Sequence, residues 1–211
     1  MEGRPDPADA VDDARADDRG ALETLREATR GEHERTERAI EGRFFGASGG
    51  IDRRGYRALL EAFLGLYRPL DERLVPASRR HLASLRYRRR ADRIERDLRV
   101  LGCSEDHLDE LPTFPRDELP DVDGPHRLLG CLYVVEGSEL GGRVIRKRLE
   151  KELDDDALRA DAFFGTDPGR VRERWTEFRA ELEDRLAPGG PVEEAAEAAR
   201  ATFGAFRRWM S

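Results

Sequence analysis

Leu22, Leu25, Thr29, His33, Thr36 and Ile40 recur at spacings of three or four residues, which places them on one face of an amphipathic helix. Helix signals of this kind continue along nearly the whole chain, and no period-two alternation runs long enough for a strand. The expected fold class is all-α, a compact multi-helix domain. Helices are predicted over 22–43, over 53–74 with Pro69 bending or interrupting it, and over a long charged stretch at 78–101. Pro112, Pro115, Pro120 and Pro125 mark 102–125 as irregular, with a single helical turn around 106–111. Further helices are expected over 126–153, 170–186 and 192–210, the last two split by Pro188, Gly189, Gly190 and Pro191. Residues 1–19 carry Asp, Ala and Arg with almost no large apolar side chain, so a disordered acidic tail is expected before one helical domain over 20–211.

Composition narrows the function. A net charge of −7 argues against nonspecific nucleic-acid binding, which needs a basic face to displace counterions. No run approaches a membrane-spanning length and the N-terminus has no apolar signal core, so a cytoplasmic protein without membrane attachment is expected. Cys103 and Cys131 are too few for a disulfide framework and read as ordinary thiols. The Arg86-Tyr87-Arg88-Arg89-Arg90 cluster reads as a solvated basic face, with docking of an acidic electron donor as the alternative.

The first helix carries more than a packing face. Arg26 and Arg30 precede His33 by seven and three residues, so they lie about 10 and 5 Å along the same side at about 1.5 Å per residue. A neutral imidazole flanked by two cations suits a flat ligand with a metal at its centre and anions on its edge, which describes haem and its propionates. A satisfied core histidine is the simpler use of such a residue. The other histidines compete poorly: His81 sits among Arg79, Arg80 and Arg86, His107 falls in the irregular stretch where exposure is expected, and His126 starts a helix. A second segment, 132–145, holds Gly137, Gly141 and Gly142 inside a helical pattern, where each costs about 1 kcal/mol relative to Ala. Gly137 and Gly141 are four residues apart and clear one face for a flat surface or a neighbouring helix.

Taken together, residues 25–37, 132–145 and the terminal 201–209 run resemble the haem oxygenase family, specifically its bacterial biliverdin-producing branch. The resemblance implies haem between a proximal helix and a glycine-broken distal helix. It makes His33 the iron ligand and Glu37 its orienting partner. Arg26, Arg30 and, on a later helix, Arg179 would face the propionates, and Tyr133 and Gly142 would line the cofactor. Gly137, Ser138 and Gly141 would form the catalytic distal face. Ser138 stands where animal members carry an aspartate, and Glu183 stands where the family often has a basic residue one turn after Arg179, so proton delivery and the meso carbon attacked stay open. The implied reaction takes haem b, as both cofactor and substrate, with O2 to biliverdin, carbon monoxide and ferrous iron. No Gly-rich strand–helix unit for a nucleotide is visible, so electrons are expected from a separate reductase or ferredoxin-type donor. A haem carrier or sensor without turnover is the alternative.

Overall fold

The computed structural model describes residues 20–46, 49–186 and 191–211. Among these residues there are helices and no strand. The helices are α1 (Ala21–Phe44), α2 (Arg53–His81), α3 (Ala91–Val100), α4 (Glu105–Glu110), α5 (Pro125–Glu152), α6 (Pro168–Arg185) and α7 (Val192–Met210). The tail expected over 1–19 and most of the Pro188–Pro191 break lie outside the described residues.

The C-terminal helix organises the rest. α1 and α5 both pack along α7, and neither packs extensively on the other. The approach of α5 to α7 is close because Gly130 has no side chain: a Cβ there would lie 1.9 Å from the Ala195 carbonyl oxygen. α6 contacts both α1 and α5 and closes one side of the space between them. At the other end, Arg148 on α5 pairs with Glu41 on α1 and sits over the Phe45 ring. A crevice therefore runs between α1 and α5, floored by α7 and walled by α6.

Three expectations need correction. Pro69 does not interrupt α2, which continues to His81. Proline cannot donate to the carbonyl four residues back, and that carbonyl, Gly65 O, accepts instead from the Phe114 amide at 2.9 Å. The absence of a side chain at Gly65 makes room for this, since a Cβ would lie 2.5 Å from Pro112 O and 2.7 Å from the Trp209 ring.

The 78–101 stretch is not one helix either. α2 ends at His81 and α3 begins at Ala91. The buried Asp71 carboxylate accepts the Arg90 and Ala91 amides at 2.8 Å each and the Tyr87 hydroxyl at 2.5 Å, capping α3 from a neighbouring helix. Arg90 is fully buried, so the basic cluster is not simply a solvated face. Asp97 does similar work further on. It accepts the Ala162 and Phe163 amides at 2.7 Å each, and burial lifts its carboxyl to about 6.

Finally, α5 is continuous from Pro125 to Glu152 and is not broken at its glycines. Packing on α7 and α6 offsets their low helix propensity.

Candidate functional site

On α1, Leu25, Thr29 and Thr36 are buried, whereas the His33 side chain is 57% exposed. His33 thus stands at the flank of the stripe, not within it. Arg26, Arg30 and Glu37 share that flank, all within about 60° around the helix at 3.6 residues per turn, and all are exposed. Neither arginine has an ion pair among the described residues. The imidazole rests on Phe203 of α7, ring centroids 5.3 Å apart, and its Nε2 lies 3.3 Å from Glu37 Oε1. Glu37 therefore lies against Nε2, and Nδ1 is the ring's other nitrogen. Thr36 fixes the α1–α7 register, its hydroxyl donating to Glu32 O at 2.8 Å and lying 3.2 Å from Phe203 O.

On α5, Tyr133, Gly137, Gly141 and Val144 fall on one face. Tyr133 and Gly137 border Trp175 of α6, with a Tyr133–Trp175 centroid distance of 6.4 Å. A Cβ built on Gly141 would meet nothing within 4 Å, and Val144, one turn on, is 58% exposed. Gly142 is placed differently from the sequence expectation: it is buried, and a Cβ there would sit 3.2 Å from the Phe164 ring. It serves the packing of α5 on the 163–164 turn, away from the open face.

Ser138 occupies the flank between these two faces. Its hydroxyl donates to Val135 O at 2.8 Å, which leaves its oxygen to accept from the buried Tyr67 hydroxyl at 3.3 Å. Burial pushes the Tyr67 phenol up to about 12, so it stays a donor at neutral pH. Tyr67 and Phe203 escaped sequence reading. Tyr67 drew no reading within its predicted helix, and Phe203 lay in the matched terminal run without an assigned role. The contacts that matter, Tyr67 to Phe206 at 5.6 Å and His33 to Phe203, join residues far apart in the chain.

Behind Ser138 lies a buried ionic cluster. Glu136 accepts from Arg174 at 2.8 and 2.9 Å and lies 2.9 Å from Arg90 Nη2, and Glu139 pairs with Arg93 and lies 3.4 Å from Arg90. Burial would raise the Glu139 carboxyl, but Arg90 and Arg93 outweigh it and hold the group below its usual range. Three guanidinium groups face two carboxylates, and Nε of Arg90, Arg93 and Arg174 each lack an acceptor. Replacing Glu136 by Ala would strand Arg90 and Arg174 with less compensation. We expect a loss of about 3–5 kcal/mol of unfolding free energy, read by urea denaturation. A parent-like midpoint would show that water already solvates these cations.

The late helix differs from its sequence reading in one respect. Arg179 is exposed on α6, with no described ion pair. Glu183 caps α1: its carboxylate accepts the Ala21 and Leu22 amides at 2.8 and 3.2 Å. The N-cap residue is Gly20, which has no side chain to do this, and a carboxylate at a helix N-terminus is favoured by the dipole. The acidic residue thus has a structural purpose. Of the remaining histidines, His81 lies 3.5 Å from Asp123 and His126 lies 3.7 Å from Glu194. His107 is only partly exposed and contacts Glu61 and Arg57, contrary to the exposed position expected for it.

Arg26, Arg30, His33 and Glu37 thus lie exposed on one flank of α1, and Gly141 and Val144 lie exposed on one face of α5. Comparison with known proteins gives the family. The family model described as heme oxygenase matches residues 19–211. A protein named heme oxygenase from Xanthomonas campestris pv. campestris (strain 8004) is 36% identical over 127 residues, covering 59% of this chain and 69% of that protein. The chain belongs to the haem oxygenase family.

Proposed function

We propose that this chain cleaves haem oxidatively to biliverdin, carbon monoxide and ferrous iron, using O2 and electrons from a separate reductase or ferredoxin-type donor. The observation that carries the reading is the placement of His33, Arg26 and Arg30 on one flank of α1, with the open Gly141–Val144 face on α5. Among the described residues, the set fits haem: one imidazole nitrogen with no protein partner, two guanidinium groups with no ion pair, and a stretch of backbone without side chains. When bound, the haem iron supplies the O2 and redox chemistry.

The chain's own residues do the rest. His33 holds the metal from the α1 side, and Glu37 fixes the plane of its ring. Arg26 and Arg30 pair with the propionates at the crevice edge. Gly137 and Gly141 keep bulky groups off the opposite face, so no strong acid or base is presented there. Ser138 offers a hydroxyl already oriented by Val135 O and Tyr67. With a histidine and no thiolate on one side and no acid or base side chain at these glycines, bound haem would supply the oxidising chemistry that acts on its own macrocycle edge. No described helix is long and apolar enough to cross a membrane, and the proposal needs none. We further propose that the protein works in the cytoplasm.

The decisive experiment mixes purified protein with hemin and then ascorbate or a reductase, following the Soret band and extracting products. Biliverdin formation supports the enzyme. A stable haem complex that survives reduction in air without bilin would make it a carrier or sensor. In the same assay, the Arg26→Glu, Arg30→Glu double variant should bind hemin more weakly. Each well-formed, shielded charge-assisted contact is worth about 1.5–3 kcal/mol, and solvent screening at these exposed positions reduces that. Unchanged affinity would place both arginines away from the ligand.

A further inference from the structure

Away from the crevice, three ligand-type side chains converge at the junction of α2 with the start of α4. Glu61 lies on α2, and Cys103 and His107 flank Ser104, the residue that caps α4. A carboxylate oxygen, the thiol sulfur and a ring nitrogen of the three all lie within 4.8 Å of one another. Cys103 is buried, and Glu61 and His107 are partly buried. The cation among them is Arg57, one turn before Glu61, whose Nε donates to Glu61 Oε1 at 2.7 Å.

The hydrogen bonding of this cluster does not close. His107 Nε2 lies 2.8 Å from Glu61 Oε1, a contact that requires an N–H on that nitrogen. The same nitrogen lies 2.9 Å from Arg57 Nη2, a group that only donates and so requires a lone pair there. No protonation state of the ring satisfies both neighbours. A metal ion on Nε2 removes the conflict, because it takes the ring lone pair and the carboxylate together. Arg57 can then turn outward, since its side chain is already 38% exposed.

We infer that Glu61, Cys103 and His107 form a zinc site, with water as the fourth ligand. Thiolate, imidazole and carboxylate are the donor set that zinc favours, at bond lengths of about 2.0–2.3 Å in a tetrahedron. Ligand atoms in such a site lie within about 4 Å of one another, so small side-chain rotations complete it. Binding breaks the Cys103 S–H bond, sends the proton to solvent and forms the Zn–S bond. The thiolate and carboxylate charges together balance the dication, which replaces Arg57 as the local counter-charge. None of these residues takes part in the haem crevice.

The test uses the untagged, full-length, haem-free protein. Zn2+ is titrated calorimetrically, and Co2+ serves as the absorbing substitute. The expected result is one ion per chain and a near-ultraviolet thiolate-to-cobalt band. Cys103→Ser should abolish the band, while Cys131→Ala should retain it. His107→Gln should weaken Zn2+ binding by at least about tenfold, and Arg57→Gln, which removes the competing cation, should tighten it by about tenfold. Circular dichroism of each variant establishes that it is folded. Absence of the band in the parent protein, its survival in Cys103→Ser, or Zn2+ binding undiminished in His107→Gln overturns the site.

Discussion

His33→Ala should reduce biliverdin formation to background and remove the histidine-ligated haem spectrum, while leaving the apoprotein folded. The side chain is more than half exposed, so little buried apolar area is lost with it. Its one ring contact, on Phe203, is replaceable by solvent or by haem itself. Added imidazole, free to enter the vacated space beside Phe203, should restore part of the spectrum and part of the turnover. The measurement is a hemin titration followed by a single-turnover assay, each with and without imidazole. Turnover that survives in His33→Ala without imidazole, but is lost in His81→Ala or His126→Ala, would move the iron to another ligand.

The second large effect is expected at Gly141, where stability and activity should separate. Because a Cβ meets nothing within 4 Å, Gly141→Ala adds no clash, and its higher helix propensity should stabilise the apoprotein by up to about 1 kcal/mol. Gly141→Leu would fill the open face and push a flat ligand away from α5. A misplacement of about 1 Å can cost about 10²-fold in rate, so the Leu variant should lose turnover by that order while its apoprotein melts no lower than the parent. Gly130→Ala is the contrast, since its Cβ collides with Ala195 O and should destabilise the fold with or without haem. The comparison is a thermal melt of each apoprotein beside haem turnover. Parent-rate turnover by Gly141→Leu would reduce the glycine face to a packing feature.

What could be read in advance follows the range of the interactions. α1 and α7 were legible almost to the residue because periodic apolar positions and their ends are local properties. The 78–101 stretch failed for the opposite reason. Its charged residues look like a solvent face until Asp71, 16 to 20 positions away, draws in Tyr87 and the backbone of Arg90 and Ala91. Pro69 was expected to disturb α2, yet the carbonyl it orphans is taken by Phe114, a partner no local rule reveals. The site divides in the same way. His33, Arg26 and Arg30 share one helix, so spacing grouped them, and the family resemblance added Glu37 one turn on. Gly142 was placed beside the haem by the family resemblance, although a rotation of about 100° from Gly141 turns it onto Phe164. Tyr67 reaches Ser138 across 71 positions and could only be found in three dimensions.

The separation of α1 from α5 bears on how such a protein lives between turnovers. Many proteins that hold a large prosthetic group use it as a piece of their interior and collapse when it leaves. Here the two helices that face the crevice are each seated on a third, α7, and not on each other. An enzyme that consumes its bound haem, as proposed here, stands vacant after every cycle, and the seating of α1 and α5 on α7 is a set of contacts within the chain that the departing molecule does not supply.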